Sequence, residues 1–122
     1  MSTLRIDLSG GERGYKSGEV ISGRVTWQVD EAPESAEVRL FWYTSGKGTQ
    51  DVETVGSVIL QTPQMNDDRT FSFTLPRQPY SFSGKLISLV WALELIVEPG
   101  SVERKEFVMS ATGVEVVLGE SA

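Results

Sequence analysis

The sequence contains no cysteine and no histidine. The first absence removes disulfides, thiolate nucleophiles and cysteine metal sites together, and it suits a reducing compartment. The second removes the usual general base near neutral pH and the commonest transition-metal ligand. Histidine-dependent triads are thereby excluded, and zinc or copper sites are not expected. No apolar run reaches the roughly 18 residues that a membrane-spanning helix requires. The longest, residues 86–97, is interrupted by Ser88 and Glu94. Residues 1–7 hold no apolar stretch of the signal-peptide type, so the expected location is cytoplasmic, without membrane insertion. Basic residues are also scarce, 11 against 17 acids, for a net charge of −6. The densest basic pair, Arg104-Lys105, is flanked by acids on both sides. That leaves no patch for a phosphodiester backbone, and nucleic acid is not an expected partner. The acidity reads as a source of solubility.

The 122 residues, 39% apolar and 23% charged, suit one globular domain spanning 1–122 with a hydrophobic core of its own. Seven or eight short runs alternate apolar and polar residues, with Gly, Pro and Asx turns between them and no helical rhythm. The runs cover residues 4–8, 20–29, 37–44, 51–60, 70–75, 85–98, 102–110 and 114–118, and the one at 51–60 carries a kink at Gly56. Residues 45–49 read as a mobile turn and residues 62–69 as a polar loop. This grammar predicts an all-β, two-sheet, immunoglobulin-like β-sandwich rather than βαβ units. Trp27 and Trp91 fall on inward positions of long strands and should centre the core together with Phe71 and Phe73.

Particular turns are legible residue by residue. Gly18 can take the positive φ of a hairpin turn, and Gly23 allows another backbone or ring to approach its strand closely. Pro76 and Pro79 hold an extended crossover, within which Ser81 can bond a loop backbone group. Two blocks of this kind, Tyr15-x-x-Gly18-Glu19-x-Ile21-x-Gly23-x-Val25 and Phe73-x-Leu75-Pro76 followed by Pro79-x-Ser81-Phe82-x-Gly84 and a long apolar strand, resemble the amino-terminal lobe of arrestin-like proteins. The likeness spans most of residues 4–110. It implies a single arrestin-type lobe, where arrestins carry two. It also implies a general role as a non-catalytic scaffold or adaptor that binds other proteins. The family's receptor-facing chemistry does not carry over. The first strand reads Leu4-Arg5-Ile6-Asp7 where receptor-binding members have paired lysines, and Pro79-Tyr80 lacks the rest of a Pro-Pro-x-Tyr motif.

The candidate site lies on the outward side of two strands. Phe41 and Tyr43 share one face of their strand, and Leu86, Val90, Ala92 and Ile96 share one face of the long strand, opposite the inward Trp91 series. A solvated face of an antiparallel sheet should be polar, and these are not. In an immunoglobulin-type topology the two strands are neighbours, so the six side chains would merge into one apolar patch. Such a patch marks an interface for a protein partner of unknown identity. A chain with one lobe can also pair with itself, giving a homo-oligomer. The bland alternatives are a loop, 46–50 or 64–68, folded over the patch, or a one-residue slip in phase at a bulge that exchanges the faces.

Other candidates are weaker. Asp67-Asp68, with Asp51 and Glu53, offers oxygen ligands for calcium but no EF-hand spacing. Glu94 and Glu98 form a nominal carboxylate pair without a cleft signal. No cofactor is expected and enzymatic activity is not expected. The competing reading is a carbohydrate-binding β-sandwich module, with Tyr43, Tyr80 and Trp42 stacking on sugar rings.

Overall fold

The computed structural model describes residues 2–11, 13–46, 50–84, 87–112 and 116–117. Every regular element among them is a strand. β1 (Thr3–Leu8), β3 (Val20–Gln28) and β6 (Asn66–Thr74) form an antiparallel sheet in the order β1-β3-β6. β4 (Ser35–Gly46), β5 (Val52–Ile59), β7 (Phe82–Ser83), β8 (Ile87–Glu98), β9 (Ser101–Phe107) and β11 (Val116–Val117) form the larger sheet, ordered β11-β7-β8-β4-β5 with β9 also pairing β8. The short β2 (Tyr15–Lys16) pairs in parallel with β10 (Met109–Ser110).

The two main sheets face each other across one core. The smaller sheet contributes Ile6, Ile21, Val25, Trp27 and Phe71; the larger contributes Val38, Leu40, Trp91, Leu93 and Leu95. The burial of β3 alternates strictly, with Ile21, Gly23, Val25, Trp27 in and Val20, Arg24, Gln28 out, as a half-solvated strand should. Trp27 and Trp91 are buried as expected, and each indole N–H is satisfied. Trp27 donates to the Gln64 carbonyl at 2.7 Å and Trp91 to the Pro79 carbonyl at 2.7 Å. Phe71 is buried beside them; Phe73 is only half-buried, packed on the margin of the core.

The turn chemistry follows the sequence. Gly18 has φ +82° in the turn between β2 and β3. At Gly23 a Cβ would stand 2.2 Å from the Asp7 carbonyl oxygen, so the close approach of β1 requires glycine. In the crossover, the Ser81 hydroxyl accepts the Met109 N–H at 2.9 Å, tying residues 76–81 to the end of the chain's last long ribbon.

Several boundaries differ from the sequence reading. The polar segment 62–69 is not wholly a loop: β6 begins at Asn66, opposite Gln28. Its polarity reads as a loop, yet Asp67 and Arg69 occupy the inward side of a strand end, where they neutralise each other. Ser45 and Gly46 belong to β4, paired with Ser88 and Ile87, while residues 47–49 of the expected turn lie outside the described residues. The run 102–110 divides at Val108, where β9 leaves the larger sheet and β10 joins β2.

Candidate protein-interaction face

β4 and β8 pair antiparallel along their whole length, Phe41 opposite Ala92, Tyr43 opposite Val90 and Glu37 opposite Ile96. The expected patch is therefore one contiguous region of the outer face, with Leu86 outside the described residues. The expected alternative of a slipped phase is not met. The phase of β4 and β8 is as read, since Val38, Leu40, Trp91, Leu93 and Leu95 are the core-facing set. Side chains of the neighbouring strand shield the patch, and residues 47–49 of one expected covering loop lie outside the described residues. β9 lies beside β8, with Arg104 opposite Glu94, Glu106 opposite Ala92 and Val102 opposite Ile96.

The rows across the sheet explain the exposure of each residue. In the first row, Ile59 of β5, Glu37, Ile96 and Val102 stand side by side. Ile59 and Val102 are 60% and 56% exposed, while Ile96 between them is buried. The second row is charged: Arg39, Glu94 and Arg104 alternate in sign on three strands. Arg39 also grips Glu37 through two hydrogen bonds of 3.0 Å, and Arg104 reaches Glu94 at 3.3 Å. Opposite charges placed across strands stabilise by roughly 0.2–1 kcal/mol each.

In the third and fourth rows Phe41 and Tyr43 stack with ring centroids 6.1 Å apart, and the Arg104 guanidinium lies 5.1 Å from the centroid of each ring. The Tyr43 hydroxyl donates to the Glu106 carboxylate. That bond, with partial burial, raises the Tyr43 phenol above its ordinary value, so the ring is a neutral donor across the physiological range. Phe41 and Ala92 are buried beneath this cover, and Tyr43 and Val90 remain half-exposed. The sequence reading places neither Arg104 nor Glu106 at this face and takes Glu94 only as half of a carboxylate pair, although their signal is present. The alternation of residues 102–107 places Val102, Arg104 and Glu106 on one side of their strand.

The remaining candidates are dispersed. Trp42 faces inward against the core and donates its indole N–H to Glu53 at 3.2 Å, so it shares no surface with Tyr43. Tyr80 sits exposed in the crossover before β7. Asp67 is held by Arg69 through bonds of 2.9 Å to both carboxylate oxygens and accepts the Gln64 and Asp68 N–H groups as well. The Arg69 contact, ahead of the backbone bonds, brings its pKa down from 3.8 to about 2. Its oxygens are occupied by protein donors, and no group of three or more metal-ligating side chains occurs among the described residues. Glu94 is engaged by Arg104 rather than facing Glu98 as a free carboxylate.

On the opposite side of the sandwich, an open depression of about 590 Å³ crosses the smaller sheet, lined by residues that include Thr3, Arg5, Thr26, Gln28, Asn66 and Asp68. Arg5 pairs with Asp7, and Asp68 with Arg24. No helix among the described residues is long and apolar enough to cross a membrane.

No protein-family model matches the sequence, and no curated protein matches it. Solved structures do. Spo0M, a sporulation control protein from Bacillus subtilis with an arrestin-like fold, is 18% identical with a TM-score of 0.62, over 90% of this chain and 49% of its own. The chain thus spans about half the length of Spo0M. A beta-glucosidase from Listeria innocua (15% identity, 94% of this chain, 16% of its own, TM-score 0.49) and a superoxide reductase from Ignicoccus hospitalis (18%, 88% and 80%, TM-score 0.45) are too distant in structure to carry an argument. The shared architecture and the two turn-and-strand blocks agree: this chain has an arrestin-like β-sandwich fold.

Proposed function

We propose that the chain is a non-catalytic protein-interaction scaffold or adaptor that associates with itself, and that the outer face of the larger sheet around Phe41, Tyr43, Val90, Ala92 and Ile96 is its contact surface. The observation that carries this reading is the Phe41–Tyr43 stack beneath Arg104, with the exposed Val52 of β5 beside Tyr43. Tyrosine and arginine on a rigid base are the residues most often dominant in protein interfaces, because they bring contact area at small entropic cost. A partner meets Tyr43, Val90 and Arg104 directly, while Phe41 and Ala92 support them from below. The structural likeness to a sporulation control protein favours a regulatory role over a catalytic one.

The test is sedimentation equilibrium of the wild-type chain and of Val90→Glu at high micromolar concentration. The wild type is expected to associate. The variant, whose new carboxylate would sit beside Tyr43 and Glu106, is expected to associate more weakly, with an unchanged melting temperature. A wild type that sediments as a monomer throughout, or a Val90→Glu protein that associates normally, overturns the proposal. Unfolding of Val90→Glu would assign Val90 to the core, and Tyr43→Ala then repeats the test at the half-exposed ring.

A further inference from the structure

The edges of the two sheets differ in how they are protected. A strand edge presents unpaired backbone groups, and natural proteins blunt such edges with charge, proline or brevity. β1 carries Arg5 and Asp7; β6 carries Asp67, Asp68 and Arg69; β9 carries the unbroken charged run 103–106. β11 is two residues long among the described residues. β5 has the least of this protection, one charge and a bulge at Val55. It runs for eight residues, Val-Glu-Thr-Val-Gly-Ser-Val-Ile, with a single charge at Glu53 and no proline or lysine. Among the described residues it pairs only with β4, and Val52, Val55 and Ile59 are 66%, 40% and 60% exposed.

We infer that β5 is a pairing edge for a second copy of this chain, joining two larger sheets antiparallel about a two-fold axis between Val55 and Gly56. This rests on the self-association proposed above and adds a second contact to it, at the sheet edge beside the outer face. The choice of partner comes from the self-complementarity of the strand. The bulge in β5, where the register against β4 passes from Leu40↔Gly56 to Phe41↔Thr54, returns Val52 and Thr54 to the same face as Ser57 and Ile59. Only because of that extra residue does a symmetric pairing centred at 55/56 keep like faces together. It sets Val52 against Ile59 of the second copy, Thr54 against Ser57, and Glu53 against the neutral Val58. Two exposed aliphatic pairs are covered, two hydroxyl pairs meet, and no like charges oppose each other, although the chain carries a net charge of −6. Eight residues of strand give a seam of roughly 26 Å, short enough that the association is reversible and concentration-dependent.

The experiment compares three proteins by sedimentation equilibrium across the micromolar range. Val52→Lys/Ile59→Lys sets two ammonium groups against each other in both cross-strand pairs; Val52→Lys/Ile59→Glu sets opposite charges there. Both sites are solvent-exposed, and unchanged melting temperatures verify the fold. The first variant is expected to weaken self-association by about tenfold or more, and the second to retain it. The inference is overturned by a monomeric wild type, by association of the double-lysine variant at wild-type strength, or by a lysine–glutamate variant that stays monomeric. The two readings fail separately. Loss with Val90→Glu but not with the double lysine leaves the outer face standing without the edge, whereas the reverse result leaves the edge without the face.

Discussion

On the outer face of the smaller sheet, Thr3, Ser22, Thr26, Thr70 and Ser72 stand among the exposed ion pairs Arg5–Asp7 and Arg24–Asp68. At the corresponding positions of the larger sheet stand Phe41, Tyr43, Val90, Ala92 and Ile96, overlaid by Arg39, Glu94, Arg104 and Glu106. Both surfaces present charge to water, but only the second places it over apolar bulk. The ion pair Arg24–Asp68 rests on short hydroxyl side chains and adds little beyond solubility. Arg104 instead closes over two rings, so its charge and its packing act together. The lesson is that a charged side chain on a sheet has no fixed value; the residue beneath it sets that value.

Four changes rank the parts of this comparison. The largest effect is expected where the two sheets meet: Trp91→Ala should cost about 3–5 kcal/mol and leave the chain largely unfolded in thermal or urea denaturation. Next is the inward ion pair at the end of β6, which differs from the exposed pairs on the same sheet. Asp67 titrates at about 2 when folded against 3.8 when free, so its stabilisation is complete above pH about 4 and is lost as the pH falls through 2. Asp67→Asn should therefore lower stability at pH 7 by about 1–2 kcal/mol, and the gap to wild type should close between pH 4 and 2 in urea titrations. The smallest effects separate the outer faces themselves. Arg104→Ala should cost about 0.5–1 kcal/mol and raise the accessibility of Tyr43 in absorbance or quenching measurements. Arg24→Ala should cost only a few tenths of a kcal/mol. Equal losses for the two arginines would erase the distinction between the faces.

Gly18, Gly23, Ser81 and the two buried tryptophans were legible as sequence because each reflects a local rule: a positive φ, a missing Cβ, a short hydroxyl beside a backbone group, an apolar rhythm of two. The same rhythm determined which side of β4 and β8 faces inward. What covers the other side was a matter of topology. Residues 102–107 lie far along the chain from Phe41 and Tyr43, and only the pairing of β9 with β8 brings Arg104 over their rings. The segment 62–69 failed for the same reason, since the acidity of Asp67 reads as a loop until Arg69 is seen beside it on the inner edge. Periodicity fixes the direction of a side chain relative to its own strand. Its neighbour across the sheet depends on strand order and on a one-residue bulge such as that at Val55, and these are set by how the whole core closes.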